Sequence, residues 1–127
     1  MILPDGNLLV AFRWANHPNK AKADAFFAKN PKVVTCPITE LTLVRVLMQL
    51  GLSANDADKV LKAFVEKSRS RLIPDDISAT QIAGLNSGHR QTTDSYLAKL
   101  AERHSIKVAT LDAPFANRFP EIVRLVD

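Results

Sequence analysis

The sequence has very little cysteine and no long hydrophobic run. Cys36 is the only cysteine among 127 residues, which excludes an internal disulfide framework and suits the reducing cytoplasm. No apolar run approaches the roughly 20 residues that span a bilayer, and the N-terminus lacks the basic region and apolar stretch of a signal peptide. We therefore expect a soluble, cytoplasmic protein that does not contact a membrane.

The sequence also lacks the residue spacings of a zinc site and of a nucleophilic triad. His17, His89 and His104 are not arranged as His-x-x-x-His, and no cysteine lies near them. Cys36 ends an apolar segment and has no His or Asp at triad spacing, which indicates a small buried packing residue. Neither zinc chemistry nor a cysteine nucleophile is expected.

Composition and charge are those of one globular domain over residues 1–127. Hydrophobic residues make up 46% and charged residues 24%, without internal repeats, low-complexity tracts or linkers. The net charge is +4, from 17 Lys and Arg against 13 Asp and Glu. If several of these acids share one site, the remaining surface is more basic and fits a polyanion that docks by its phosphates. Modest positive charge is, however, also common in soluble domains.

Short apolar segments alternate with amphipathic helical segments along the chain. The predicted strands are residues 2–4, 33–35, 71–73, 107–111 and 122–126. Helices are predicted at residues 7–12 (capped by Asn7), 19–28, 38–50, from the cap Ser53 onward, from 78 or 79 to 85, and after a cap at Thr92 or Thr93. Right-handed crossovers in this order predict an α/β, doubly wound sheet of about five parallel strands, order 3-2-1-4-5, flanked by helices.

Four acidic residues lie where an apolar segment gives way to a helical pattern: Asp5, Glu40, Asp94 and Asp112. The carboxyl ends of parallel strands meet at one edge of an open sheet, and ligands bind at that edge. Four carboxylates gathered there would repel one another unless a divalent cation lay between them. Each acid alone could instead cap a helix or favour its dipole. Four such caps at one edge is the less economical account, so the pattern predicts a metal site.

Four short motifs, in this order and spacing, resemble those of a known family. They are Leu3-Pro4-Asp5-Gly6-Asn7-Leu8-Leu9, Thr35-Cys36-Pro37-Ile38-Thr39-Glu40-Leu41, His89-Arg90-Gln91-Thr92-Thr93-Asp94-Ser95-Tyr96-Leu97 and Ala109-Thr110-Leu111-Asp112. Over nearly all 127 residues the chain resembles a PIN domain, and in particular the VapC-type toxin nuclease of bacterial toxin–antitoxin pairs. The resemblance implies a PIN-like fold and an endoribonuclease that depends on Mg²⁺ or Mn²⁺.

The resemblance also implies a role for each acid in hydrolysing RNA phosphodiester bonds through metal-activated water. Asp5, Glu40, Asp94 and Asp112 would form the catalytic set, and Asp5, Asp94 and Asp112 the metal ligands. Asp5 and Asp94 are the first choice for direct contact, because Mg²⁺ usually takes one or two carboxylates and keeps several waters. Glu40 and Asp112 would then hold metal-bound waters or a second ion. Asn7 and Thr110 would orient the carboxylates or water from behind.

Several partners follow from the same resemblance. They are an RNA substrate such as tRNA or another structured RNA, a cognate antitoxin, and a second copy in a homodimer, with DNA bound only indirectly through the antitoxin. Arg90, Arg45 and Arg13 could contact RNA phosphates. A structural ion pair with Glu40 is favoured for Arg45, and a solvated loop cation is an equal alternative for Arg90. Surplus apolar residues between 41 and 65 would cover a dimer contact or an antitoxin groove.

Three other functions compete with this one. A haloacid dehalogenase-type phosphatase needs Asp-x-Asp-x-Thr after the first strand, and Asp5-Gly6-Asn7-Leu8-Leu9 lacks the second acid. A receiver-like signalling domain needs adjacent acids after the first strand, which are absent, although Asp75-Asp76 follows the third. A catalytically weak PIN-like module would bind RNA or antitoxin without cutting, and the full set of acids argues against it.

Overall fold

Strands alternate with helices along the whole chain, as the sequence pattern predicts. The computed structural model describes residues 1–127. Its strands are β1 (Ile2–Pro4), β2 (Val34–Thr35), β3 (Arg71–Leu72), β4 (Lys107–Thr110) and β5 (Val123–Leu125). Its α-helices are α1 (Gly6–Arg13), α2 (Lys20–Lys29), α3 (Pro37–Gln49), α4 (Ala54–Ser68), α5 (Thr92–Arg103) and α6 (Ala113–Arg118), and two 3₁₀ helices span Ala79–Leu85 and His89–Gln91.

All strand pairs are parallel, and the predicted spatial order 3-2-1-4-5 is observed. β1 pairs with β4 and β4 with β5, while β2 pairs with β3. β1 lies beside β2, but no ladder of hydrogen bonds joins them, so the sheet is divided into three and two strands. β2 has only two residues between Pro31 and Pro37, which leaves little backbone to pair with a second neighbour.

The strands lie between two hydrophobic layers. Leu3, Val34 and Val108 face the layer that α5 and α6 cover, with Leu100 and Phe115 fully buried there. Alternate strand residues face the other way, toward α1, α2, α3 and α4, where Phe12, Phe27 and Phe64 stack in edge and face contacts. Side chains that alternate between two covered faces define the doubly wound α/β sheet.

Three local predictions need correction. Helix α1 is capped by Asp5, which accepts from the Leu8 N–H, and not by Asn7. Neither Thr92 nor Thr93 caps α5, because the preceding 3₁₀ turn leads directly into the helix and the Thr92 hydroxyl donates to the His89 carbonyl instead. The buried side of α3 also differs from the side that helical spacing predicts from Leu41, Val44, Leu47 and Met48.

On α3 the buried side is formed by Thr39, Leu43 and Leu47, which recur every four residues. Leu41 and Met48, which the pattern placed inward, are 66% and 45% exposed. A helix rich in apolar residues offers more than one stripe, and contact with α1 and α4 selects the one that is buried. Separately, none of the helices has the length and apolar character needed to cross a membrane.

Candidate metal centre

Asp5 lies at the carboxyl end of β1, and its carboxylate is almost wholly buried. Asp5 as a whole is 4% exposed, and its backbone N–H donates to the Ala109 carbonyl of β4 at 2.9 Å. Oδ1 accepts from the Leu8 N–H at 2.9 Å and so caps α1. Burial raises the pKa of Asp5 to about 6, hydrogen bonds from Thr110 and Leu8 oppose that rise, and the charges of Asp94 and Asp112 add to it.

Thr110, the last residue of β4, connects two of the predicted acids. Its Oγ1 donates to Asp5 Oδ2 at 2.6 Å and accepts from the Asp112 N–H at 3.0 Å. Thr110 is fully buried, so this hydroxyl has a fixed position. The contact places Thr110 behind the carboxylates, where the sequence predicted an orienting group.

Asp94 and Asp112 complete a group of three aspartates. Asp94 is half-buried in the first turn of α5, and Asp112 is exposed and caps α6 through the Phe115 N–H. Burial, and then the charge of Asp112, raise the pKa of Asp94. The charges of Asp94 and Asp112 raise the pKa of Asp5, and the charge of Asp112 raises that of Asp94, so the fold brings all three side chains into one neighbourhood. Asp5 and Asp112 therefore cap helices and belong to the group of three aspartates at the same time.

Arg118, in the last turn of α6, is a site residue that the sequence did not reveal. Its positive charge lowers the pKa of Asp94, against the effects of burial and Asp112. Its guanidinium also donates to the Leu85 carbonyl at 3.2 Å and to the Ser95 hydroxyl, and it lies over the Phe119 ring. These partners come from three separate segments, so no local sequence pattern identifies Arg118.

Glu40 is held apart from the three aspartates by its own partner. In the first turn of α3, its Oε2 accepts from the Thr35 hydroxyl at 2.8 Å, at the carboxyl end of β2. Glu40 thus lies at the same sheet edge, one strand along from Asp5. Thr35 is a second supporting residue that sequence reasoning missed. Its position at the end of the predicted strand, five residues before Glu40, could have identified it as a hydrogen-bond partner of that acid.

An open cavity of about 170 Å³ adjoins the aspartates. Its walls include Asp5, Asn7 and Asp94, together with Thr42, Thr93 and Arg45. Arg45 therefore faces the acidic site, and it forms no ion pair with Glu40, so the favoured structural pairing is wrong. Asn7 is exposed at the same opening and can reach a ligand or its water.

The two remaining predicted arginines do not line this cavity. Arg90 is exposed in the 3₁₀ turn just before α5. Arg13 ends α1, eight residues after Asp5, which corresponds to about 12 Å along a helix. Its guanidinium lies 5.6 Å from the Phe12 ring centroid and lines a different depression with Lys67. Phosphate contact by either residue stays a prediction.

The environment of Cys36 agrees with the packing role predicted for this residue. It is fully buried, and burial raises the pKa of its thiol to about 11. A thiol that stays protonated at neutral pH is a poor nucleophile.

The side chains at this edge suit a hard divalent cation. The donors are carboxylate oxygens, and Arg118 is the cation whose charge lowers the pKa of Asp94. No three His, Cys, Asp or Glu side chains are close enough together to hold one ion between them. An ion bound in this arrangement would take two carboxylates at most, and that is the number Mg²⁺ commonly uses when water and phosphate oxygens complete its shell.

Comparison with known proteins agrees with this fold. The PIN domain family model matches residues 2–118, which contain all four acids. Ribonuclease VapC29 of Mycobacterium tuberculosis (strain ATCC 25618 / H37Rv) is 39% identical over 128 residues, covering 98% of this chain and 96% of that protein. Ribonuclease VapC38 of the same strain is 35% identical over 121 residues, covering 89% and 86%.

A solved structure supports the same fold. FitAB bound to an IR36 DNA fragment superposes with a TM-score of 0.66 at 21% identity, covering 98% of this chain and 94% of that one. The fold and the site define an α/β protein whose parallel strands gather aspartates at one edge. This chain belongs to the PIN domain family, and the predicted resemblance to its VapC-type members is confirmed.

Proposed function

We propose that this protein is the toxin of a VapBC-type toxin–antitoxin pair and acts as a Mg²⁺-dependent endoribonuclease, with Mn²⁺ able to replace Mg²⁺. The proposal is carried by one observation: Asp5 and Asp94, from distant segments, line one cavity at the carboxyl edge of the sheet, and the Thr110 hydroxyl joins Asp5 to Asp112. It is supported by relatives at 39% and 35% identity that bear the name ribonuclease.

The side chains divide the work as follows in this proposal. Asp5 and Asp94 hold the ion, and Thr110 fixes the orientation of Asp5 through the 2.6 Å hydrogen bond. Asp112 and Glu40 accept hydrogen bonds from water at the rim of the site. Arg45, on the cavity wall, binds a phosphate oxygen of the substrate. The bound ion would polarise the phosphoryl oxygen and activate water for attack on the phosphodiester.

The proposal includes two protein partners. A cognate antitoxin would inhibit the enzyme and would supply any contact with DNA. A second copy of the chain would form a homodimer, because Leu41, Met48 and Leu50 leave an apolar outer side on α3 and the turn after it. Size-exclusion chromatography with light scattering tests the dimer. A Leu41→Ser variant should be monomeric at concentrations where the unchanged protein is dimeric.

Cleavage of purified RNA tests the enzymatic proposal. RNA should be cut with Mg²⁺ or Mn²⁺, and excess EDTA should stop the reaction. Asp94→Asn should abolish cleavage, whereas Asp58→Asn, which changes an exposed aspartate paired with Lys62 on α4, should leave it unchanged. Cleavage that persists in EDTA or in Asp94→Asn would refute the proposal.

The alternative is a PIN-like module that binds RNA or antitoxin without cutting. One observation favours it, namely that no three acidic side chains converge closely enough to share an ion. The two functions differ in a single assay. RNA that is bound but stays intact in both Mg²⁺ and Mn²⁺ would establish the binding module.

A further inference from the structure

A second charged surface lies beside α2 and the strands β1, β4 and β5. Two adjoining depressions, of about 240 and 360 Å³, open there and share Ile2, Asn30 and Arg124. Their walls carry five cations, which we call the basic surface: Lys22, Lys29, Lys32, Lys107 and Arg124.

The strand register fixes where this surface lies relative to the acidic site. Ile2 at the start of β1 pairs with Lys107 at the start of β4, so the 360 Å³ depression lies at the amino ends of these strands. The 240 Å³ depression extends along β5 from Arg124, which pairs with Ala109, to Asp127. Asp5 and Asp112 follow the carboxyl ends of β1 and β4, and three residues of extended chain from Ile2 to Asp5 correspond to about 10 Å. A ligand that reaches both the aspartates and the amino-end depression is therefore at least about that long.

The cations of the basic surface are available to a ligand. All five residues are exposed, and none forms an ion pair, whereas Lys20, Lys62, Lys99 and Arg103 each have an acidic partner. Lys107 also donates to the Glu121 carbonyl, and the acidic group on these walls is Asp127. Unpaired positive charges gathered on concave surfaces concentrate anions, and they gain free energy by releasing counterions from a nucleic acid backbone.

We propose that the basic surface binds the phosphate backbone of a folded RNA while the acidic edge holds the bond to be cut. The inference rests on the proposed function for naming RNA as the ligand. Four of the five cations are lysines, which act as point charges and contact phosphates without reading bases. The basic surface therefore adds affinity for RNA that reaches both the aspartates and the two depressions, and it adds no sequence preference.

Salt-dependent binding of a tRNA transcript, measured by fluorescence anisotropy in EDTA, tests this inference. The test variant combines Lys22→Gln, Lys29→Gln and Arg124→Gln. The control combines Lys59→Gln, Lys62→Gln and Lys67→Gln on α4, which removes the same charge from exposed positions. Thermal melting of both variants checks that they are folded.

The expected result is specific to the basic surface. The test variant should bind tRNA about tenfold more weakly at about 150 mM salt, and its slope of log K against log salt should be shallower by about 2, at roughly 0.7 per lost phosphate contact. The control should stay within about twofold of the unchanged protein. Equal losses in both variants, or no loss in either, would overturn the inference. A protein that binds tRNA through this surface but does not cut it with Mg²⁺ refutes the nuclease and leaves the inference standing.

Discussion

The Thr110 hydroxyl donates a 2.6 Å hydrogen bond to the Asp5 carboxylate across 105 positions of sequence. The same oxygen accepts from the Asp112 N–H, so one buried side chain sets the relative position of two acids on neighbouring strands. The hydroxyl is therefore as much a part of the site as the acids themselves.

Replacing Thr110 by valine should separate this role from packing. Thr110→Val keeps the shape but removes the hydroxyl, which leaves Asp5 Oδ2 without its donor and the Asp112 N–H without its acceptor. Mn²⁺ affinity, measured by calorimetry, should fall roughly 10–100-fold, as is typical when a supporting hydrogen bond to a metal ligand is lost. Thr110→Ser keeps the hydroxyl and should largely retain the affinity. Equal Mn²⁺ affinity of the valine variant and the unchanged protein would contradict this prediction.

Without metal, Asp5 should make the free energy of unfolding fall as the pH rises. Its pKa is about 6 in the folded protein against 3.8 ordinarily, so the folded state holds an extra proton between about pH 4 and pH 6. Stability is lost as the pH rises through that window, by at most about 3 kcal/mol for a shift of roughly two units. Asp5→Asn should lack this loss and be more stable than the unchanged protein at pH 7 in EDTA. Urea unfolding at several pH values gives the free energy of unfolding against pH for both proteins. Parallel curves would show that burial does not raise the pKa of Asp5.

Magnesium should reverse that difference. Binding to the folded state alone raises stability by mass action, so Mg²⁺ should raise the Tm of the unchanged protein at pH 7. The Asp5→Asn variant should show little change in Tm, whereas Asp58→Asn should respond like the unchanged protein. A uniform response of all three proteins would place any bound Mg²⁺ elsewhere.

Arg118 should act on Asp94 through its charge and on the fold through its hydrogen bonds. Arg118→Met removes both, so the pKa of Asp94 should rise further and stability should fall by about 1–2 kcal/mol. Arg118→Lys keeps the charge but not the planar donors, so it should preserve the pKa of Asp94 better than it preserves stability. NMR titration of the Asp94 carboxyl carbon separates the two effects. An Asp94 titration unchanged in Arg118→Met would refute the role of the charge.

Gly6 should tolerate no side chain, because α1 and α3 approach closely there. A Cβ at Gly6 would lie 2.3 Å from Thr42 Cγ2 and 2.5 Å from Thr42 Cβ. Gly6→Ala should therefore cost about 1–3 kcal/mol through a forced shift of the helices. Removing the obstructing atoms with Thr42→Gly should recover part of that cost in the double variant. If the loss in free energy of unfolding of the double variant equals the sum of the losses of the two single variants, the predicted clash is contradicted.

Local patterns in the sequence were sufficient for much of the fold. The β-branched and apolar segments at Ile2–Pro4 and near Val34 predicted strands because extended, buried backbone favours such residues. The cap Ser53 marked the start of α4, since an N-cap acts on backbone within a few residues. The inward side of α3 could not be read in the same way, because its choice between Leu43 and Leu41 depends on which neighbours pack against it.

The sequence by itself determined the parallel α/β order, and it placed Asp5, Glu40 and Asp112 after strands and Asp94 in the first turn of a helix, because period and chain order are local properties. Only the tertiary structure decided that Asp5 is buried with a raised pKa, that Thr110 joins it to Asp112, and that Glu40 is held by Thr35. Only the tertiary structure, too, turned Arg45 toward the cavity and brought Arg118 to Asp94. Burial, dielectric surroundings and distances between segments arise when the layers pack, and no spacing along the chain encodes them.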